Sequence, residues 1–264
     1  MRSWLLPGFA LFTIGALAGC FGGGGDQKGW NDPRYKNAMD VGNSIFSLEH
    51  IKPARQQYKA ALDRALLANN TQAIYDAGFN LALSELRLKA FQDCLATVQK
   101  VMQALTVRGW TDAQQAGLHL IRASVFYEQR RWHDSLTEAN LARNSRDSDI
   151  QAEAYAVAGL DAAILQDRPQ LEESITHLST SHDLRDKTNL RELLVHRELM
   201  DQQWQRAADD AHSLAQSREE ALNYESMRRA LRLQAQALEA MGQKEEARNL
   251  LQQVVDSQKT QSTP

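Results

Sequence analysis

Leu231, Ala235 and Leu238 step along the chain at four and three residues, Gly242 interrupts the pattern, and Ala247, Leu250, Leu251 and Val254 resume it. This spacing predicts two amphipathic helices joined by a tight turn. The same hairpin can be laid over the chain six times. Anchored on a small or apolar residue early in each second helix, the register runs Ala54, Cys94, Ser135, Leu171, Ala207 and Ala247, at spacings of 40, 41, 36, 36 and 40 residues. Three residues before the anchors stand Ile51, Phe91, Trp132, Arg168, Trp204 and Lys244, and seven after them stand Ala61, Val101, Ala142, Leu178, Leu214 and Val254. Twelve before, where two helices must approach closely, stand Gly42, Ala82, Ala123, Gly159, Val195 and Ala235. Strands are not expected, because Ala, Leu, Gln, Glu and Arg dominate and no proline falls between Ala54 and Arg168 or between Gln170 and Thr263.

This register resembles tetratricopeptide repeats, whose unit of about 34 residues places a small residue in each helix at the crossing. The resemblance implies an all-α solenoid of about six hairpins over residues 32–256. The proline that usually closes a unit is absent from every copy. Longer connections at Thr106–Ala113 and Leu141–Ile150 would absorb the excess length. Lys52-Pro53 and Arg168-Pro169 put proline in a first turn, and Ser217-Arg218-Glu219-Glu220 reads as a capping box. An irregular helical bundle without true repeats is the alternative.

The first thirty residues follow a different rule. Arg2 is followed by a mainly apolar stretch of fourteen residues, Trp4 to Leu17. That is too short to span a bilayer, which takes about 20 residues, but it fits the core of a secretion signal. Leu17-Ala18-Gly19-Cys20 resembles the lipobox of bacterial lipoproteins. The resemblance implies cleavage of residues 1–19 and lipid on Cys20, with two or more acyl chains holding the protein on its membrane. Phe21 rather than Asp after the cysteine implies the outer membrane, with the protein facing the periplasm. Residues 20–31, containing Gly22 to Gly25, read as the lipidated cysteine and a flexible tether, its eleven residues from Phe21 reaching at most about 40 Å. Residues 257–264 carry no apolar side chain and read as a frayed tail.

Composition adds limits. Of 264 residues, 30 are basic and 33 acidic, and without Arg2 the mature side-chain charge is −4, which offers neither a field for nucleic acid nor a polybasic membrane patch. With Cys20 lipidated, Cys94 is a lone thiol and reads as a small buried residue. The seven histidines form no zinc motif, and His177 and His182 read as solvated loop residues. No nucleophile elbow, Cys-x-x-Cys or calcium loop occurs, so the chain reads as a non-enzyme without cofactor, metal or small-molecule substrate. Trp132 and Trp204 share one repeat position and read as packing.

These readings point to a membrane-tethered scaffold for a protein partner in the cell envelope. An activator or enzyme of peptidoglycan metabolism and a passive structural subunit remain alternatives. In tetratricopeptide folds the first helix of each unit lines a groove. The resemblance carries that role to positions fifteen, eleven and eight before each anchor: Met39, Asn43 and Phe46; Phe79, Leu83 and Leu86; Leu120, Ser124 and Tyr127; Glu192, His196 and Leu199; Arg232, Gln236 and Glu239. The groove would then be apolar and aromatic at one end and polar at the other. Phe46, Phe79 and Tyr127 equally suit burial between repeats.

Overall fold

The computed structural model describes residues 30–262. The signal at 1–19, Cys20 and the glycine tether up to Gly29 lie outside the described residues. Twelve α-helices and no strand occur among the described residues: α1 (Pro33–Ser47), α2 (Ile51–Leu67), α3 (Thr71–Arg87), α4 (Phe91–Thr106), α5 (Ala116–Glu128), α6 (Trp132–Ala142), α7 (Ser148–Leu165), α8 (Arg168–Ser179), α9 (Leu184–Met200), α10 (Trp204–Glu220), α11 (Tyr224–Ala240) and α12 (Lys244–Ser262). A short 3-10 helix, Asp112–Gln115, precedes α5. No helix among the described residues is long and apolar enough to cross a membrane. The contacts form two compact units, residues 30–154 and 155–262, divided within α7. In the first, α1 to α4 pack in sequence and α3 also meets α5. In the second, α8 to α12 pack in sequence and α9 meets α11.

The six-copy register is visible in the backbone. All six second helices begin three residues before the anchor, at Ile51, Phe91, Trp132, Arg168, Trp204 and Lys244. Five before it, a residue with positive φ ends each first helix: Glu49, Lys89, Arg130, Gln166 and Gln202 at 57–61°, and Gly242 at 84°. The next amide in each copy (His50, Ala90, Arg131, Asp167, Gln203, Gln243) donates to a carbonyl five residues back at 2.8–3.1 Å. A left-handed residue with this bond satisfies carbonyls that a helix end would otherwise leave bare.

Side chains at the shared positions explain the close crossing. The anchors and the residues seven beyond them are all buried, as are all six crossing residues. A Cβ on Gly42 would come within 2.7 Å of the Tyr58 ring, and one on Gly159 within 2.5 Å of Leu193. Two copies also share a hydrogen bond: Cys94 Sγ donates to the Ala82 carbonyl at 3.2 Å, and Ser135 Oγ to that of Ala123 at 3.0 Å. Burial pushes the Cys94 thiol well above its ordinary pKa, consistent with a packing role and no redox role.

Three sequence expectations need correction. Ser217 lies in the last turn of α10 and starts nothing; the side chain that caps α11 is Asn223, which accepts from the Ser226 amide at 3.2 Å. α12 continues to Ser262, so residues 257–262 are helical and not a frayed tail. His177 is no loop residue: it sits on α8 with its ring stacked on Tyr155 at 3.8 Å, while His182 is exposed between α8 and α9.

Candidate functional site

The expected apolar and aromatic row is not an open surface. Phe46, Phe79, Leu83, Leu86, Leu120, Ser124 and Tyr127 are all buried. Phe46 packs on Tyr58 of its own hairpin, with the Arg87 guanidinium over its ring. Phe79 lies against Gly117, where a Cβ would come within 2.9 Å of the ring, and Tyr127 meets the edge of Trp132 at 5.1 Å. Phe46 and Phe79 are covered from the next hairpin, by Arg87 and Gly117, whereas Tyr127 packs within its own hairpin. Met39 is half-buried on α1, and Asn43 accepts a 2.9 Å bond from the Tyr58 hydroxyl.

In residues 155–262 the same register gives a different result. A cavity of about 470 Å³ is lined by Ala163, Ile164, Gln166, His196, Leu199, Met200, Gln202, Trp204 and Gln236. His196, Leu199 and Gln236 are three of the positions expected to line a groove. Arg232 is half-buried on α11 and Glu239 is exposed there, and neither lines the cavity. α7 and α9 both end at the cavity, each closing with a left-handed glutamine, Gln166 or Gln202, that lines it; the Gln166 amide donates back to the Ala163 carbonyl at 3.0 Å. Trp204, at the start of α10, packs against the buried cluster that contains Ala207, Leu233 and Leu238 while also forming part of the wall.

Beneath the cavity a buried charge cluster holds α9, α10 and α11 in register. Glu192 accepts from Arg218 Nη2 at 2.6 Å and from Arg229 Nε and Nη2 at 2.9 and 3.0 Å; Arg218 also donates to the Ser226 carbonyl at 3.0 Å. Burial alone would raise the Glu192 pKa, but the two guanidiniums outweigh it and hold the carboxyl far below its ordinary range. One turn on, burial pushes the His196 imidazole below its usual value, with Arg229 and Arg218 adding to the shift and Glu192 opposing it. His196 is accordingly neutral at pH 7.

No side chain lining the cavity is thus charged at pH 7. Three glutamine amides and a neutral imidazole supply donors and acceptors around an apolar base of Leu199, Met200 and Trp204. The C-terminal ends of α7 and α9 add partial negative charge. Such a site suits an apolar side chain carried on a hydrogen-bonding backbone. Among the described residues no cluster of His, Cys, Asp or Glu could hold a metal ion.

Comparison with solved structures bears on the architecture. A crystal structure at 2.39 Å of a tetratricopeptide repeat protein from Parabacteroides merdae ATCC 43184 superimposes with a TM-score of 0.57 over 88% of this chain and 82% of that one, at 18% sequence identity. The fold is tetratricopeptide-like. No protein-family model and no curated protein sequence matches the chain. The all-α hairpin-repeat class therefore stands on both internal register and external likeness, despite the missing unit-closing prolines.

Proposed function

We propose that this chain is a protein-interaction module, held by lipid on Cys20 to the periplasmic face of the outer membrane, that scaffolds or regulates a cell-envelope complex. The observation that carries the interaction role is the cavity around His196, Leu199, Trp204 and Gln236, a concave, uncharged, partly apolar surface on a tetratricopeptide-like frame. Leu-Ala-Gly-Cys at residues 17–20 supports the anchor, and Phe21 supports the outer-membrane destination.

Detergent-solubilised lipoprotein is purified from its own cells and the co-purifying proteins quantified. A stoichiometric envelope protein is expected, and peptidoglycan turnover by the purified chain would replace this reading with an enzymatic one. Cys20→Ala tests the anchor separately. It should abolish labelling by a clickable fatty acid and leave the signal uncut, whereas persistent labelling refutes lipidation at Cys20.

A further inference from the structure

Most buried or half-buried carboxylates described so far have a cation against them, as Glu192 does, and the same holds in residues 30–154. There, Glu85 is held by Arg55 at 2.9 Å and Glu138 by Arg122 and His119, each at 2.7 Å. Asp76 departs from this pattern. It lies near the start of α3, half-buried, and its hydrogen bond comes from a neutral group, the Gln72 amide at 2.9 Å one turn back. No Lys, Arg or His among the described residues lies within ion-pairing distance of it. Burial without a counter-ion pushes its carboxyl up to about 6.

The surroundings of Asp76 are aromatic. Tyr35 of α1 and Tyr75 of α3 are both close enough to feel its charge, which adds to burial in raising their phenols. Tyr75 in turn packs its ring 5.2 Å from Trp110, and Tyr35 packs 4.9 Å from Trp30. Both tyrosines are fixed in place. The Tyr75 hydroxyl takes a hydrogen bond from the Gly117 amide and stands where a Cβ on Gly117 would be, at 2.5 Å, while the Tyr35 hydroxyl reaches the Ala73 carbonyl at 3.5 Å. Asp147 is a second negative charge close enough to raise the Tyr75 phenol. Tyr35, Trp110, Gln72 and Asp76 all remain partly open to solvent.

Ring faces attract cations through their quadrupole, and a carboxylate in a poorly solvated setting gains more from a cation than one in water. We propose that Asp76, half-buried beside Tyr35 and Tyr75 and bonded only to the neutral Gln72 amide, receives a lysine or arginine side chain of a partner polypeptide. This site lies in residues 30–154 and is independent of the cavity around His196. Charge complementarity selects the occupant: an anion would meet Asp76 and Asp147, and an apolar side chain would leave the carboxylate desolvated and unpaired.

The test titrates the full-length solubilised protein with the blocked pentapeptide acetyl-Gly-Ala-Arg-Ala-Gly-amide and with its citrulline counterpart, a neutral isostere. The signal is the shift of the Trp110 indole N–H in NMR spectra. The arginine peptide should give a saturable shift, with at least tenfold weaker binding for the citrulline peptide, for Asp76→Asn, and for the parent at pH 5 compared with pH 7. The citrulline comparison uses the parent protein and so does not depend on the variant folding. Equal binding of both peptides, or no saturable shift, overturns the proposal. A saturable shift that appears only after Lys28→Ala would assign the site to the chain's own tether, which also overturns it.

Discussion

Replacing Glu192 by glutamine should be among the most damaging single changes in residues 155–262. Arg218 keeps only 3% of its side chain exposed and Arg229 9%, and both direct hydrogen bonds at Glu192. At an effective dielectric near 20, each close pair is worth about 4 kcal/mol, and relieving the desolvation of Glu192 returns several kcal/mol. The net cost is about 3–5 kcal/mol, the usual range when one partner of a buried ion pair is removed. With a urea m-value of about 2 kcal/mol per molar, the midpoint of the unfolding transition, followed by far-ultraviolet circular dichroism at pH 7, should fall by roughly 1.5–2.5 M. The pH dependence gives an independent check. Because the folded-state pKa of Glu192 is depressed, its contribution is complete above the unfolded-state value of about 4.3 and is lost as pH falls. The gap between parent and variant should therefore narrow by about 1.4 kcal/mol per pH unit below about pH 4.3. A midpoint within about 0.3 M of the parent at pH 7, or a gap that widens in acid, would refute this account of the cluster.

Three further outcomes follow from the packing. Phe79→Ala should destabilise the protein by about 3–5 kcal/mol in the same urea assay, since Phe79 is buried against Gly117; a stable variant would return it to the surface. Gly159→Ala places a methyl within 2.5 Å of Leu193 and 2.9 Å of the Ser174 Cβ and should cost about 1–3 kcal/mol, while an unchanged midpoint would mean the crossing is looser than described. Leu222→Gly should raise the thermal midpoint, by about 0.5–1 kcal/mol of stability, because Leu222 holds φ at 55° with its side chain mostly exposed; destabilisation would show that this leucine packs on something.

Much of the frame was legible because it repeats. The start of every second helix and the burial of every anchor and crossing residue follow from one register, since a small residue at a crossing and an apolar one seven beyond the anchor are needed in each copy. Five of the six left-handed turns were not legible: Glu49, Lys89, Arg130, Gln166 and Gln202 adopt a conformation that only Gly242 advertises. That blind spot hid the cavity, whose walls include Gln166 and Gln202. The positions named on α3 and α5, and Phe46 on α1, are buried, because exposure depends on packing by neighbouring helices that a single repeat register does not display. Of the six positions named in the last two copies, His196, Leu199 and Gln236 line the cavity while Glu192, Arg232 and Glu239 do not, and nothing in the sequence distinguished those copies from the buried ones. Asp76 was missed because one aspartate near a helix start is ordinary until its lack of a counter-ion is seen.

The most direct test of the interaction role is site-specific photo-crosslinking in living cells. A benzophenone side chain is placed at Gln236, exposed at the cavity, and in a second strain at His212, exposed on α10 and not part of the cavity lining. The account predicts one discrete, reproducible adduct from position 236 and none of that mass from position 212. No adduct at 236, or the same adducts from both positions, would contradict it.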